Sequence, residues 1–106
     1  MSGEVCVLRP QGRLDGATGP VFEGDLSKAI AGDANKLLLD MAGLNYISSA
    51  GLRIVLQAAK QMKSKGGRLA LCSLKEQIKE VFDISGFSGL LDIAPTAEEA
   101  MMRLSA

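Results

Sequence analysis

Hydrophobic positions in the first part of the chain predict two strands, a helix and a further strand. Residues 4–9 are β-branched and apolar, turn residues interrupt them at 10–12, and residues 13–15 resume the run, which predicts two strands paired through a tight turn. Residues 36–41, Lys-Leu-Leu-Leu-Asp-Met, show no alternation, as in a parallel strand covered on both faces, so we expect this strand at the centre of the fold. Between residues 15 and 36, apolar residues at helical spacing predict a first amphipathic helix. They are Val21, Phe22, Leu26, Ala29 and Ile30.

The remaining positions predict three helices and two more strands. A strand at 68–72 and a short edge strand at 90–93 follow from apolar runs, and the sequence Thr-Ala-Glu-Glu at 96–99 has the order of a capping box that opens a terminal helix. Met101 and Leu104 should dock that helix. Two other helices are predicted by apolar stripes, the first ending at 63–67 and the second near Gly86: Leu52, Val55, Leu56, Ala59 and Met62, then Leu74, Ile78, Val81 and Phe82.

These elements predict an α/β fold. A strand, a helix and another apolar strand between residues 36 and 72 form a right-handed crossover, which favours parallel pairing with helices packed on the sheet. We therefore expect a small mixed β-sheet of about four to five strands with about four α-helices. At 106 residues, the chain has room for one hydrophobic core, so residues 1–106 are predicted to form a single domain.

Composition narrows the classes of partner. Twelve basic residues balance twelve acidic ones, and aromatic residues make up only 4%, so the chain lacks the charge and the stacking groups of a nucleic-acid surface. Direct binding to a membrane surface is disfavoured on the same grounds. Neither an apolar run near the ~20 residues of a membrane span nor the pattern of a signal peptide is present, which predicts a cytoplasmic protein.

Catalytic and metal-binding chemistry is poorly represented. The chain has no histidine, and Cys6 and Cys72 belong to no closely spaced ligand pair, so we predict no metal site, no cofactor and no Ser-His-Asp triad. The cysteines are interpreted as apolar residues, with a disulfide as the less favoured alternative. Asp15 and Asp40 each end a strand and are expected to cap turns rather than catalyse a reaction. The protein is therefore predicted not to be an enzyme.

Two adjacent serines precede the helix after the central strand. A hydroxyl at such a position either caps the helix or is presented to another protein, and residue chemistry favours a cap for Ser48 or Ser49 without choosing between them. A helical wheel centred on Leu52 places Ser49 beside Arg53 on one flank. The same wheel puts a further set on the side away from the core, comprising Ala50, Gly51, Ile54, Gln57, Ala58 and Gln61. There Ile54 would either meet a partner or be shielded by a neighbouring segment.

Three segments, in order, resemble the STAS domain family, specifically its anti-sigma factor antagonists. They are GRLD at 12–15, LLDMAGLNYISSAGLR at 38–53 and GRLALC at 67–72, and the similarity extends through the terminal helix. The resemblance implies a small sheet flanked by helices. It also implies that the residue two before the Gly51-Leu52 pair is phosphorylated by a partner that is both an anti-sigma factor and a serine kinase.

Carried over by position, the phosphoacceptor is Ser49. Many relatives have an aspartate before the acceptor and a hydroxyl residue after it, whereas here Ser48 and Ala50 occupy those positions. The resemblance places Asp15 close to the acceptor. The resulting hypothesis is an anti-sigma factor antagonist that is switched off by phosphorylation and reset by a phosphatase. Its predicted partner surface consists of Asp15, Ser48, Ser49, Gly51, Arg53, Ile54 and Gln57.

The alternative hypothesis from the same resemblance is a cytoplasmic STAS accessory subunit of a membrane transporter. In that role the domain would act without a kinase. An enzyme with Ser49 as nucleophile is the least favoured possibility, because the chain offers no histidine as a base.

Overall fold

A four-stranded parallel sheet forms the centre of the computed structural model, which describes residues 5–86 and 91–105. Its strand order is β1-β3-β5-β6. A separate pair of parallel strands, β2 and β4, forms a second sheet. The elements in chain order are β1 Val5–Leu8, β2 Gly12–Leu14, α1 Gly19–Ala31, β3 Lys36–Asp40, β4 Leu44–Ile47, α2 Ser49–Ser64, β5 Arg68–Cys72, α3 Glu76–Ile84, β6 Asp92–Ala94 and α4 Ala97–Ser105. The predicted α/β class with four helices is confirmed.

Strand β3 lies inside the four-stranded sheet, as its unbroken apolar run predicted. It pairs in parallel with β1 on one side and with β5 on the other. Leu37, Leu38 and Leu39 are at most 2% exposed, because helices cover both faces of the sheet. Leu37 and Leu39 join the larger hydrophobic cluster, whereas Leu38 points to the opposite face.

The strands divide into two sheets, a feature that the hydrophobic pattern did not predict. The expected pairing of residues 4–9 with 13–15 is wrong, since β1 pairs with β3 and β2 pairs with β4. Gly12 has a φ of +72° and donates its backbone N–H to the Gly43 carbonyl, which directs the chain out of the first sheet. Strand β4 was not predicted, because its sequence, Leu-Asn-Tyr-Ile, does not alternate between apolar and polar residues. In the structure, Leu44 and Ile47 are buried and the two residues between them are exposed.

Different helices pack on the two faces of the four-stranded sheet. One face carries the larger cluster, to which α1, α2, α3 and the small sheet contribute, while α4 packs on the other through Ala100 and Leu104. Cys6 packs against the first cluster and Cys72 belongs to the second, so the sheet separates them and they form no disulfide with each other. Burial raises the pKa of the Cys72 thiol, which disfavours its reactive thiolate form.

Several predicted positions are corrected at the level of single residues. Val21 is 72% exposed and Met101 39% exposed, so neither is a core residue of its helix. Helix α4 docks instead through Ala100 and Leu104, which lie on one face at i and i+4. Strand β6 is an edge strand, as expected, but begins at Asp92, and residue 90 of the predicted strand lies outside the described residues.

Candidate functional site: the first turn of helix α2

Ser48 is the N-cap of α2. Its backbone is extended, with φ of −93° and ψ of 175°, and its hydroxyl accepts a hydrogen bond from the Gly51 backbone N–H at 3.2 Å. Its own N–H donates to the Leu14 carbonyl at 2.9 Å, which ties the start of α2 to β2. The predicted cap therefore belongs to Ser48, whose half-buried hydroxyl is already engaged.

Ser49 occupies the first helical position and is exposed. The first turn of α2 contains no acidic residue, so no carboxylate of this turn faces the positive end of the helix dipole. A negative group added to the Ser49 hydroxyl would lie where free backbone N–H groups and the dipole favour it. The structure thus separates the two serines by role: one caps the helix, and the other presents its hydroxyl.

Gly51 lies beneath this turn rather than on its surface. A Cβ at this position would lie 2.6 Å from the Leu14 carbonyl oxygen and 2.9 Å from Ile47 Cγ1. Only a glycine lets α2 approach the small sheet this closely. The placement of Gly51 and Ala58 on the solvent side of the helix is therefore wrong, because both residues are buried.

The buried stripe of α2 is centred near Val55 and Met62 instead of Leu52. The predicted stripe left out Gly51 and Ala58, two small residues that are buried, and Gly51 packs where β2 comes close to the helix. With this rotation, Ser49 and Arg53 lie near the middle of the exposed face, and both are exposed. Their predicted position as neighbours one turn apart is retained.

A groove of about 300 Å³ runs beside this turn, between α2 and the start of α1. It brings together four of the predicted partner-binding residues, Asp15, Arg53, Ile54 and Gln57, with four others: Gly16, Pro20, Glu23 and Ala50. Ser48, Ser49 and Gly51 do not line the groove. Glu23 and Pro20 escaped the sequence analysis because their position beside α2 depends on how two helices pack.

Ile54 forms part of the floor between the two helices. It is half-buried and packs against the larger hydrophobic cluster. A Cβ at Gly19 would lie 2.7 Å from Ile54 Cδ1, so the first turn of α1 covers this side chain directly. Of the two sequence-based alternatives for Ile54, shielding by a neighbouring segment is the one observed, although part of the side chain still lines the groove.

Asp15 organises the loop between β2 and α1. Its Oδ1 accepts hydrogen bonds from the backbone N–H groups of Ala17 and Thr18, both at 3.0 Å, and its Oδ2 accepts one from Arg13 Nε at 3.2 Å. These bonds to the ionised form, those from the Thr18 and Ala17 amides first, hold the pKa of this carboxyl below its usual value. The turn-capping interpretation of Asp15 is confirmed, and the same loop forms one wall of the groove.

Arg13 and Tyr46 form a second exposed feature next to the serine turn, and the sequence analysis missed it. The two residues are paired across β2 and β4, and the guanidinium carbon lies 4.5 Å from the centroid of the tyrosine ring. Both residues are exposed. No sequence signal could place them together, because β4 itself did not follow from the hydrophobic pattern.

The described part of the chain offers no sign of other common site types. Within residues 5–86 and 91–105, no three histidine, cysteine, aspartate or glutamate side chains are grouped so that they could hold a metal ion. Across the same residues, none of the helices has the length and apolar character needed to cross a bilayer.

Comparison with known proteins decides the family. The family described as STAS domain matches residues 1–100. The chain belongs to the STAS family. BtrV of Bordetella bronchiseptica is 41% identical to it over 90 residues, covering 85% of this chain and 78% of BtrV. The anti-sigma-B factor antagonist of Bacillus subtilis is 30% identical over 87 residues, covering 82% of this chain and 79% of that protein.

The STAS fold is also shared with a solved anti-sigma factor antagonist. The structure of unphosphorylated SpoIIAA matches 97% of this chain and 90% of SpoIIAA, with 27% identity and a TM-score of 0.79. The phosphorylated form of SpoIIAA, described as a Bacillus cell fate determinant, matches with a TM-score of 0.72. The family resemblance seen in the sequence is therefore confirmed, and so is the STAS-like architecture.

Proposed function

We propose that this STAS protein is an anti-sigma factor antagonist whose binding state is set by Ser49. Unphosphorylated, it binds an anti-sigma factor that is also a serine kinase and so releases a sigma factor for transcription. The observation that carries the proposal is the division of labour at the start of α2, where Ser48 holds the helix and Ser49 is exposed beside a groove. SpoIIAA and the Bacillus subtilis relative, both named as anti-sigma factor antagonists, support this role.

The partner surface comprises the α1–α2 groove and the exposed part of the first turn of α2. Arg53 and Gln57 supply polar groups at the groove, Ile54 supplies apolar area, and Asp15 holds the adjoining loop. Ala50 places only a methyl group next to Ser49, which leaves room for close approach of another protein. Gly51 contributes indirectly, by seating the turn on β2.

Phosphorylation is the switch in this proposal. The Ser49 oxygen attacks the γ-phosphorus of ATP bound to the partner, a new O–P bond forms, ADP leaves, and the serine proton passes to a base of the partner. The phosphate adds nearly two negative charges where the helix dipole favours them, so the fold survives while the interface is disrupted. A phosphatase restores the serine by hydrolysing the ester with water, and inorganic phosphate is released.

The chain itself catalyses nothing in this proposal. It lacks histidine, and the Ser48 hydroxyl is engaged in the cap. Incubation with a serine-reactive phosphonate is expected to leave Ser49 unlabelled, and stoichiometric labelling would contradict this point. The partner sequesters a sigma factor, so we place the complex in the cytoplasm.

The proposal is tested with purified candidate anti-sigma factor kinases and ATP. Intact mass and peptide mapping should show one added phosphate at Ser49 in the wild type and in Ser48→Ala, and none in Ser49→Ala. Ser49→Asp should bind the unmodified partner at least about tenfold more weakly than wild type, a change of roughly 1.4 kcal/mol. Phosphate mapped to Ser48, or equal binding by Ser49→Asp and wild type, would overturn the proposal.

The transporter-subunit hypothesis predicts a different partner. Co-purification with a membrane permease, and no phosphate transfer with any anti-sigma factor kinase, would favour it. The relatives described above are named as anti-sigma factor antagonists, so they do not favour this alternative.

A further inference from the structure

Arg53 is a basic residue on the exposed face of α2. It lies four residues after Ser49, so the two side chains are neighbours one turn apart, and both are exposed. Among the described residues, Arg53 forms no ion pair, whereas Arg9, Arg13 and Arg103 each have a carboxylate within 4 Å. A surface arginine with this freedom is available to a negative group placed on Ser49.

Helix α4 shows what the same spacing does when the first residue is acidic. Glu99 lies in its first turn, and Arg103, four residues later, donates a hydrogen bond to the Glu99 carboxylate. In α2 the same four-residue spacing separates Ser49, the first helical residue, from Arg53, and the i residue carries no charge. A phosphorylated Ser49 would supply the missing negative group at the i position.

We propose that Arg53 is the positioning residue for a phosphate on Ser49, holding it against the first turn of α2 by an ion pair between residues i and i+4. This inference rests on the proposed function, because it requires Ser49 to be the modified residue. The guanidinium binds two phosphate oxygens through parallel N–H groups, a geometry that lysine lacks.

The ion pair has a consequence for the groove. Of the described residues that line the groove, Arg53 is the only basic one. Asp15 and Glu23 are the acidic ones, and Asp15 is already bonded to Arg13. When the phosphate engages Arg53, the groove retains its carboxylates and loses the cation that an acidic side chain of the partner would contact. Phosphorylation therefore acts twice, by adding negative charge and by occupying the arginine.

The test uses protein with phosphoserine incorporated at position 49 during translation, so it needs no kinase. Phosphorus NMR measures the second pKa of this phosphate in four backgrounds: wild type, Arg53→Gln, Arg53→Lys and Lys60→Gln. A neighbouring cation favours the dianion, so Arg53→Gln should raise the phosphate pKa, lowering its acid dissociation constant about two- to fivefold. Arg53→Lys should retain part of the effect.

Lys60→Gln is the matched control, because it removes the same charge from an exposed position of α2 three turns away. A phosphate pKa in Arg53→Gln that equals that in Lys60→Gln would overturn the inference. The failure of this inference can be told apart from the failure of the proposed function. The phosphate pKa is measured without a kinase, whereas the proposed function fails if no partner kinase modifies Ser49. A binding series completes the test: Arg53→Gln should weaken binding of the unphosphorylated protein to its partner and reduce the further loss caused by phosphoserine. An unchanged loss would contradict the role of Arg53 in the switch.

Discussion

Helices α2 and α4 begin with the same capping chemistry and use it differently. The Ser48 hydroxyl accepts from the Gly51 N–H and the Thr96 hydroxyl accepts from the Glu99 N–H, each at 3.2 Å and each three residues further on. At that third position α4 has a glutamate paired with Arg103, whereas α2 has a buried glycine. The first turn of α4 therefore has carboxylates at the positive end of its helix dipole, whereas the first turn of α2 has none.

Under the proposed function, this difference separates a structural helix start from a regulatory one. Helix α4 satisfies its positive end with Glu98 and Glu99, so its first turn has little to gain from an external anion. The first turn of α2 has small side chains, contains no carboxylate and presents the Ser49 hydroxyl beside Arg53, which forms no ion pair within the described part of the chain. A charge added there changes the surface without replacing any contact that the fold needs.

The largest expected effect concerns the glycine that seats α2. Gly51→Ala should destabilise the protein by about 1–2 kcal/mol, since overlap with the Leu14 carbonyl outweighs the better helix propensity of alanine. Gly24→Ala is the control, because that position in α1 is exposed and open, and it should stabilise slightly. Urea unfolding measures both, and equal effects would show that Gly51 is not held by close packing.

The N-cap side chains of α2 and α4 should contribute similarly to the free energy of unfolding. Ser48→Ala and Thr96→Ala should each cost about 1 kcal/mol, because each leaves one helix N–H without its side-chain acceptor. Ser49→Ala should leave the midpoint of thermal unfolding almost unchanged. If Ser49→Ala cost more than Ser48→Ala, the assignment of cap and presented serine would be reversed.

The two arginines should differ in the unphosphorylated protein. Arg103→Gln should lower the unfolding midpoint, because Arg103 also bonds to Asp92 and to the Ile93 carbonyl. Arg53→Gln should leave the unfolding midpoint unchanged, since this arginine forms no ion pair among the described residues. Calorimetry of both variants measures the two midpoints. An equal decrease in Arg53→Gln and Arg103→Gln would contradict the expected difference between the two arginines.

The smallest effect is the acid dependence of the loop beside α2. The folded-state pKa of Asp15 is lowered, so its contribution to stability is present above the ordinary aspartate pKa and is lost as the pH falls through the lowered value. Asp15→Asn should therefore lose less stability than wild type between about pH 5 and pH 2. Parallel acid dependence of wild type and variant in urea titrations would show that the loop does not depend on this carboxylate.

Local patterns predicted most of the elements but not their partners. The central strand, the crossover to β5 and a terminal helix that begins after Thr96 followed from residues that are close in sequence, and the structure confirms them. Of the predicted capping box, the structure shows the bond from the Glu99 N–H to the Thr96 hydroxyl, whereas the Glu99 carboxylate pairs with Arg103. The pairing of β1 and β2 was wrong, because each strand finds its partner more than twenty residues away. Met101 and Val21 were misplaced for a related reason: apolar character alone does not tell which flank of a helix another element covers.

Three features could be read from the sequence alone: a hydroxyl at the start of α2, an arginine one turn later, and the resemblance to STAS proteins. These are local or compositional features, and they do not depend on distant contacts. The resemblance pointed to Ser49 as the acceptor, but residue chemistry left the cap open between the two serines, and the folded structure assigns the cap to Ser48. That choice rests on β2, whose Leu14 carbonyl receives the Ser48 N–H and approaches Gly51 so closely that the turn is held in one orientation. The groove next to Ser49 was likewise set by the packing of α1 on α2.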